Sequence, residues 1–318
     1  MPAADAPCPE QAFNATALKW HTCAWLLLPV LVFLAGWMYW YAALPLMLLT
    51  AAGLAPRKRK EPQTRDSLPA FPLFTRSSFL ALAAFAALMA LSGWGEWVNQ
   101  HPDHIVRNAC LRELVASPWP VIFPDGNVLI YNTGFWLVPA LAGKLAGLDA
   151  ARMLVVLWGA WGLFLSWLWL CVFSGRRSLL LALLMAAFGS LLNLQCWLGL
   201  NLFRLHYFGT AEQIMCSANA SIPVLLFFIF LASGRMPLPW IPLLFAATAF
   251  YSPLAALGGL PLAACQWYRQ WRGAPPLRDV LLHPSFSASV LLGVCFLLYY
   301  GMVNAPSSHM GMRSFYTH

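Results

Sequence analysis

The chain has 318 residues, of which 60% are hydrophobic and only 9% are charged, and its mean hydropathy is +0.66. Soluble domains carry about 25% charged residues, so this composition excludes a soluble globular protein. It favours helices that cross a lipid bilayer, where every backbone polar group must be satisfied within a helix. The net charge of +8 does not indicate a nucleic-acid partner, because the cations lie in short clusters between apolar runs, as in positive-inside topology.

The N-terminal part of the chain divides into a tail, an apolar stretch and a basic linker. Residues 1–22 are polar and no signal-peptide cleavage site follows them, so we expect a polar tail. The apolar stretch 23–55 is longer than the about 20 residues of one spanning helix. With Pro29 and Pro45 it forms either one kinked helix or a tight two-helix hairpin. The hairpin is favoured and leaves the tail on the same side as the basic segment 56–77, the predicted cytoplasmic linker.

A helix from 78 to about 94 is then predicted to run outward and to deliver the polar segment 95–128 to the extracytoplasmic face. In this loop Pro102 stands at a helix start. The apolar residues after it recur at helical spacing, which predicts an amphipathic helix on the membrane surface. The second amphipathic loop is predicted at 193–220.

The remaining apolar runs complete an all-α, polytopic transmembrane helix bundle of about 8–10 membrane segments, a single transmembrane domain over residues 1–318. The further predicted segments are 131–148, 153–173, 179–192, 222–232, 239–249, 254–267 and 285–303. The orientation of the middle of the chain stays open. If 131–148 spans the membrane, Lys144 lies inside and Arg176 outside; if it only dips in, the reverse holds.

Acidic residues point to the chemistry because there are only eleven of them. The loop 95–128 holds four: Glu96, Asp103, Glu113 and Asp125. A carboxylate can accept a proton from a hydroxyl nucleophile, and nearby cations can hold a phosphate leaving group. On a helix, Asp103 and Arg107 share a face. The alternative is that Asp103 only caps the helix or pairs with Arg107.

Three blocks of this region resemble the start of the GT-C superfamily glycosyltransferases, over about residues 95–195. They are Asp103-His-Ile-Val-Arg-Asn-Ala-Cys-Leu-Arg-Glu-Leu, Pro118-Trp-Pro-Val, and Tyr131-Asn-Thr-Gly-Phe-Trp-Leu-Val-Pro-Ala-Leu-Ala-Gly-Lys-Leu-Ala-Gly. Those polytopic enzymes move a sugar from a polyprenyl-phosphate donor, with an acid in the first extracytoplasmic loop and a surface helix after it. The resemblance implies that Asp103 is the catalytic carboxylate of the loop, which acts as a base or binds a metal, with Glu96 as its substitute.

Two departures from the family pattern leave points open. One acid stands where the family often has a pair, so no cofactor is specified and a divalent cation remains an alternative. Family members also often carry a soluble C-terminal domain, and whether further chain follows His318 is not decided by the sequence. The sequence has no His/Cys spacing typical of a zinc site, so we expect no structural metal site.

Ionisable residues in the second loop are the other candidates, because charges at membrane depth are costly and arginine matches phosphate oxygens in a fork. The predicted ligands of the donor phosphate are Arg107, Arg204 and His206, and the further candidates are His104 and Glu212. The alternative for Arg204 is that its side chain snorkels to the lipid headgroups.

The sequence therefore predicts a multi-pass glycosyltransferase of the bacterial cytoplasmic (inner) membrane. Its expected partners are a polyprenyl-phosphate-linked sugar, a glycan or lipid acceptor hydroxyl on the extracytoplasmic side, and membrane lipids. The alternative is a membrane transporter or a non-catalytic membrane protein. A transporter predicts charged or unwound positions near the bilayer midplane, whereas the acids of this chain crowd a surface loop.

Overall fold

The structure, a computed structural model, describes residues 15–55, 75–98, 100–188, 209–272 and 276–301. Within these ranges it is all-helical, with twelve helices and no strand; Ile122 and Val128 form an isolated β-bridge. The helices are α1 (Ala15–Trp37), α2 (Trp40–Leu54), α3 (Arg76–Leu91), α4 (Pro102–Ala116), α5 (Gly134–Ala146), α6 (Leu148–Ser174), α7 (Leu179–Ala187), α8 (Thr210–Ala232), α9 (Trp240–Tyr251), α10 (Pro253–Trp271), α11 (Leu277–Leu281) and α12 (Pro284–Gly301).

Four of these helices are long and apolar enough to cross a membrane: α1, α6, α8 and α12. Four more, α2, α3, α5 and α9, are apolar but shorter. The all-helical prediction is thus confirmed for the described residues, and the four long apolar helices suggest a membrane protein.

The stretch 23–55 forms two helices, and the first of them starts inside the predicted polar tail. The chain leaves the helix after Trp37, and Tyr39 is extended (φ −61°, ψ 143°) before α2 begins. Helix α1 reaches back to Ala15 because its first turns have partners. Thr22 is fully buried and accepts a 2.8 Å hydrogen bond from Trp169 Nε1 of α6.

One end of the bundle carries most of the acidic residues, and we call it the acidic end. There the end of α1 meets the segment after α4, with 5.3 Å between the ring centroids of Trp37 and Trp119. Arg152, near the start of α6, pairs with Glu96. The acids of the described residues at this end are Glu96, Asp103, Glu113, Asp125, Asp149 and Glu212, and the cations are Arg107, Arg112, Lys144 and Arg152.

The opposite end is cationic, and we call it the basic end. Arg177 after α6 hydrogen-bonds Ser78 at the start of α3. The Ser285 hydroxyl at the start of α12 donates a hydrogen bond of 2.6 Å to the Pro239 carbonyl. The charges of the described residues at this end are Lys19, Arg76, Arg176, Arg177, Arg235, Arg269, Arg272 and Arg278, with Asp279 as the acid. Among the described residues, six acids and four cations thus lie at the acidic end, and eight cations and one acid lie at the basic end.

Helix α5 does not run from one end to the other. Its first residue, Gly134, lies against the ring of Phe250, which is buried within the bundle. It ends where Lys144 donates to the Ser117 carbonyl and lies 5.1 Å over the Trp119 ring. Lys144 therefore lies at the acidic end. This geometry matches the alternative in which segment 131–148 dips into the bundle and returns.

Candidate functional site

Helix α4 presents two ionisable side chains to the interior of the acidic end. It begins at Pro102, and Nδ1 of the N-cap residue His101 accepts from the Asp103 backbone N–H at 3.4 Å. Its buried side consists of His104, Val106, Arg107, Cys110, Leu111 and Leu114. Burying a guanidinium costs free energy unless it is paired, so its surroundings are informative.

Asp103 and Arg107 form the ion pair expected from their spacing. Nη2 of Arg107 lies 3.6 Å from Oδ2 of Asp103, and His101 Nδ1 lies 3.8 Å from the same oxygen. The Asp103 side chain is 54% exposed, whereas that of Arg107 is 9% exposed. The pair thus joins an accessible carboxylate to a buried cation.

The Arg107 guanidinium has unused hydrogen-bonding capacity. Its Nη2 donates to Ser217 Oγ at 3.4 Å, and its centre lies 5.7 Å from the Trp94 ring centroid. The phenol of Tyr131 also interacts with it. Its Nε and Nη1 are buried and donate to no acceptor among the described residues. Because unpaired buried donors are unfavourable, this position suits a ligand with several acceptor oxygens.

Helix α8 is broken beside Arg107. Ser217 has non-helical backbone angles (φ −154°, ψ 42°). Ser221 Oγ lies 2.9 Å from the Ser217 carbonyl and 3.3 Å from the Gln213 carbonyl, although Gln213 and Ser221 are eight residues apart in the chain. In a straight helix they would be separated by about 12 Å. The chain therefore bends sharply at Ser217, in the part of the predicted loop 193–220 that the structure describes.

Side chains from the first loop donate hydrogen bonds to the backbone carbonyls that precede this break. Trp94 Nε1 donates to the Ile214 carbonyl at 2.8 Å. His104 Nε2 lies 3.0 Å from the Met215 carbonyl. Since helix ends leave carbonyls without intrahelical partners, these two contacts satisfy the bent backbone and fix α8 against α4.

His104 is held as a neutral anchor. A carbonyl can only accept, so Nε2 carries the hydrogen; Nδ1 is buried and meets no donor in the part of the chain that the structure describes. Burial lowers the pKa of His104 below its ordinary value of 6.5, and the charges of Arg107 and His101 lower it further. The side chain is therefore uncharged at neutral pH and does not supply a cation to the site.

Glu96 is engaged with different cations. Its Oε2 pairs with Arg112 at 2.7 Å and also with Arg152, which in turn pairs with Asp149 at 2.8 Å. The backbone of Glu96 has a positive φ of 67°, and its side chain is largely buried. These contacts tie the loop after α3 to α4 and α6.

The candidates of the second loop have separate outcomes. Oε2 of Glu212 accepts from the N–H of the N-cap residue Gly209 at 2.9 Å, so this side chain caps the start of α8. Arg204 and His206 lie outside the described residues, so their role stays a prediction. Within the described ranges, no group of three or more His, Cys, Asp and Glu side chains could hold a metal ion.

A half-open cavity of about 370 Å³ lies along the bent part of α8. Its walls are mostly apolar and come from α6, α7, α8 and α10. The lining residues are Leu163, Phe188, Thr210, Gln213, Ile214, Ala220, Ser221, Ile222, Val224, Leu225, Phe228 and Ala255.

The site therefore combines predicted and unpredicted residues. Asp103, Arg107 and His104 were candidates, whereas Trp94, Tyr131 and Ser217 were not assigned a role by sequence. Tyr131 stood in the Tyr-Asn-Thr-Gly block, but nothing in the spacing indicated that it would lie beside Arg107. No protein-family model, curated protein or solved structure matches this chain. Its function is therefore argued from the chemistry of the site.

Proposed function

We propose that the chain is a multi-pass GT-C-like glycosyltransferase of the bacterial cytoplasmic membrane. It would move a sugar from a polyprenyl-phosphate donor to a hydroxyl of a glycan or lipid acceptor on the extracytoplasmic side. The observation that carries the proposal is the Asp103–Arg107 pair, in which an accessible carboxylate lies 3.6 Å from a buried guanidinium. Two nitrogens of that guanidinium remain without acceptors among the described residues.

The division of charge supports an outward-facing site. Cytoplasmic ends of membrane proteins carry an excess of lysine and arginine, and the basic end has this composition, for example at Arg76, Arg176 and Arg235. Asp103 and Arg107 lie at the opposite, acidic end. In this orientation they face the extracytoplasmic side.

The proposed reaction is a single displacement. The carboxylate of Asp103 accepts the proton of the acceptor hydroxyl while that oxygen bonds to the anomeric carbon of the sugar. The bond from this carbon to the phosphate oxygen breaks, and the prenyl phosphate leaves with the electron pair, so the configuration is inverted. Nε and Nη1 of Arg107 donate to the departing phosphate and stabilise its charge. Arg204 and His206 are the predicted further ligands of this phosphate.

Two features outside the Asp103–Arg107 pair fit this substrate. The half-open apolar cavity along α8 suits a prenyl chain, because ligand sites for apolar groups are concave and lined mainly by hydrophobic side chains. Glu96 holds the loop through Arg112 and Arg152, which leaves Asp103 as the proposed base.

The transporter alternative is favoured by one observation, the unwound position at Ser217 in α8. Discontinuous helices often bind substrates and ions in transporters through free carbonyls. Here Trp94 and His104 donate to the carbonyls of Ile214 and Met215. The Ser221 hydroxyl lies 2.9 Å from the Ser217 carbonyl and 3.3 Å from the Gln213 carbonyl. The break is thus closed by protein groups, which favours the enzyme.

A transfer assay tests the proposal directly. The full chain in nanodiscs is given a panel of polyprenyl-phosphate sugars and acceptors, and product is measured by mass spectrometry. Asp103→Asn should lower transfer at least about 100-fold, since it removes the general base. The matched control is Asp125→Asn at the same end, because within the described residues the hydrogen bonds of the Asp125 carboxylate go to the turn residue Asn127, so it should be dispensable.

Two results would contradict the proposal. One is undiminished transfer by the Asp103→Asn variant with a donor that the wild type uses. The other is solute uptake into proteoliposomes by a wild type that transfers no sugar, which would establish the transporter instead.

A further inference from the structure

Tyr131 lies in the segment that leads into α5. Its phenol interacts with the Arg107 guanidinium, and its ring lies 5.6 Å from that of Trp136. No property of the proposed reaction required a phenol at this position.

The backbone of Tyr131 is fixed by α12. Its N–H donates to the Tyr299 hydroxyl at 3.3 Å, and that hydroxyl lies 3.2 Å from the Tyr131 carbonyl. The same hydroxyl is 3.3 Å from the Leu129 carbonyl. A side chain held by such backbone contacts is preorganised, so little conformational entropy is lost when it binds a ligand.

The Tyr131 hydroxyl is a hydrogen-bond donor at neutral pH. Burial raises the pKa of the phenol above its ordinary value of 10.0, and this effect is larger than the lowering by the Arg107 charge. The hydroxyl therefore keeps its hydrogen. Two nitrogens of the neighbouring Arg107 guanidinium, Nε and Nη1, have no hydrogen-bond partner among the described residues.

We infer that Tyr131 is a binding residue for a phosphate monoester, and that its hydroxyl donates to a non-bridging oxygen of the phosphate held by Arg107. The inference rests on the proposed function and names a further residue of its donor site. The phenol keeps its proton throughout, because a phosphate monoester leaves as an anion. A phosphate has more acceptor oxygens than Arg107 alone can pair, and Tyr131 supplies the next donor.

The test compares head group and tail separately. The full chain in phosphatidylcholine nanodiscs is titrated with undecaprenyl phosphate and with undecaprenol, which has the same tail and no phosphate. Inorganic phosphate is added as a competitor, which distinguishes recognition of the free anion from recognition of the lipid-linked one. Wild type, Tyr131→Phe and Tyr300→Phe are compared by dissociation constant and by thermal unfolding midpoint.

Tyr131→Phe should weaken undecaprenyl phosphate binding about tenfold or more, because a hydrogen bond to a charged group is lost. Its binding of undecaprenol and its unfolding midpoint should stay near those of the wild type. Tyr300→Phe is the matched control, since its hydroxyl donates to the Phe250 carbonyl, and it should bind the phosphate normally.

The inference is overturned if Tyr131→Phe binds undecaprenyl phosphate as tightly as the wild type. It is also overturned if the wild type does not prefer the phosphate over the alcohol. Failure of the proposed function would give a different result. The protein would then bind the phosphate in a Tyr131-dependent way but would transfer no sugar in the separate assay.

Discussion

Arg107 is a residue whose burial is better explained by ligand binding than by folding. A buried charge stabilises a fold only when its partners are complete, and here Nε and Nη1 donate to no described acceptor. The partners that the structure does provide are Ser217, the exposed Asp103, the Trp94 ring and the Tyr131 phenol. Such an arrangement is expected where free energy of folding is given up for function.

Replacing Arg107 with an apolar side chain should therefore separate stability from activity. Arg107→Met should keep the thermal unfolding midpoint at or above that of the wild type, because it removes a poorly paired buried charge. The same variant should lose sugar transfer, and Arg107→Lys should lose most of it because lysine lacks the fork geometry. Unfolding and transfer are measured on the same preparations.

Arg112→Met serves as the control for this experiment, since the Arg112 side chain is 53% exposed and pairs with Glu96. It should retain transfer. A large fall in the unfolding midpoint of Arg107→Met would instead show that Arg107 is a structural residue.

His104 should make the stability of the protein depend on pH. Its pKa in the folded state is lowered below 6.5, so below pH 6.5 the unfolded chain binds more protons at this position than the folded chain. Stability from this residue is then full above pH 6.5 and falls as the pH drops through that value toward the folded pKa. Charged groups facing it are Arg107, His101 and Asp103.

The variant His104→Gln isolates this effect, because glutamine can still donate to the Met215 carbonyl but does not titrate. Unfolding midpoints at pH 7.5 and pH 5.0 are compared for both proteins. The wild type should lose more stability on acidification than the variant. Equal losses would show that His104 contributes nothing to the pH dependence.

At the scale of elements, the broken helix α8 depends on contacts from the first loop. Trp94 is buried and donates to the Ile214 carbonyl. Trp94→Phe would leave that carbonyl unsatisfied and should destabilise the protein by about 1–3 kcal/mol. Trp97→Phe is the matched control in the same loop, because Trp97 is exposed; denaturant unfolding in detergent should show no change for it. An equal loss in both variants would contradict this account of the break.

Local features of the sequence were enough to place some elements. A proline at the first helical position predicted the start of α4 at Pro102, and spacing of four residues predicted the Asp103–Arg107 pair. The break at Ser217 could not be predicted in this way, because neither proline nor glycine stands there. Its conformation depends on Trp94 and on the side chains of α4, which are more than one hundred positions away in the chain.

The same distinction applies to the site. Asp103 and Arg107 belong to one helix, so their proximity is a local property. Tyr131 comes from a different segment and is positioned by Tyr299 of α12, which is a tertiary property. Helix α1 extends to Ala15 for a similar reason, because Trp169 of α6 pairs with its residue Thr22.

At the scale of the whole molecule, the two ends of the bundle differ in charge although the sequence alone left the middle of the chain ambiguous. The ambiguity concerned segment 131–148, whose hydropathy is compatible with spanning or dipping. The contacts place Lys144 of α5 beside the Ser117 carbonyl at the acidic end and Arg177 beside Ser78 at the basic end. We therefore expect segment 131–148 to dip into the membrane from the acidic end rather than to cross it.

This topology can be tested by cysteine labelling in intact cells. In a parent protein whose eight native cysteines are replaced by alanine or serine, three exposed positions are changed singly: Asp125→Cys, Lys144→Cys and Arg176→Cys. A membrane-impermeant maleimide should label the first two from outside, because both lie at the acidic end. The third should be labelled only after permeabilisation, because basic ends face the cytoplasm. Labelling of Lys144→Cys from inside alone would mean that α5 spans the membrane. The reverse pattern at all three positions would place Asp103 and Arg107 in the cytoplasm, which is incompatible with an extracytoplasmic sugar transfer.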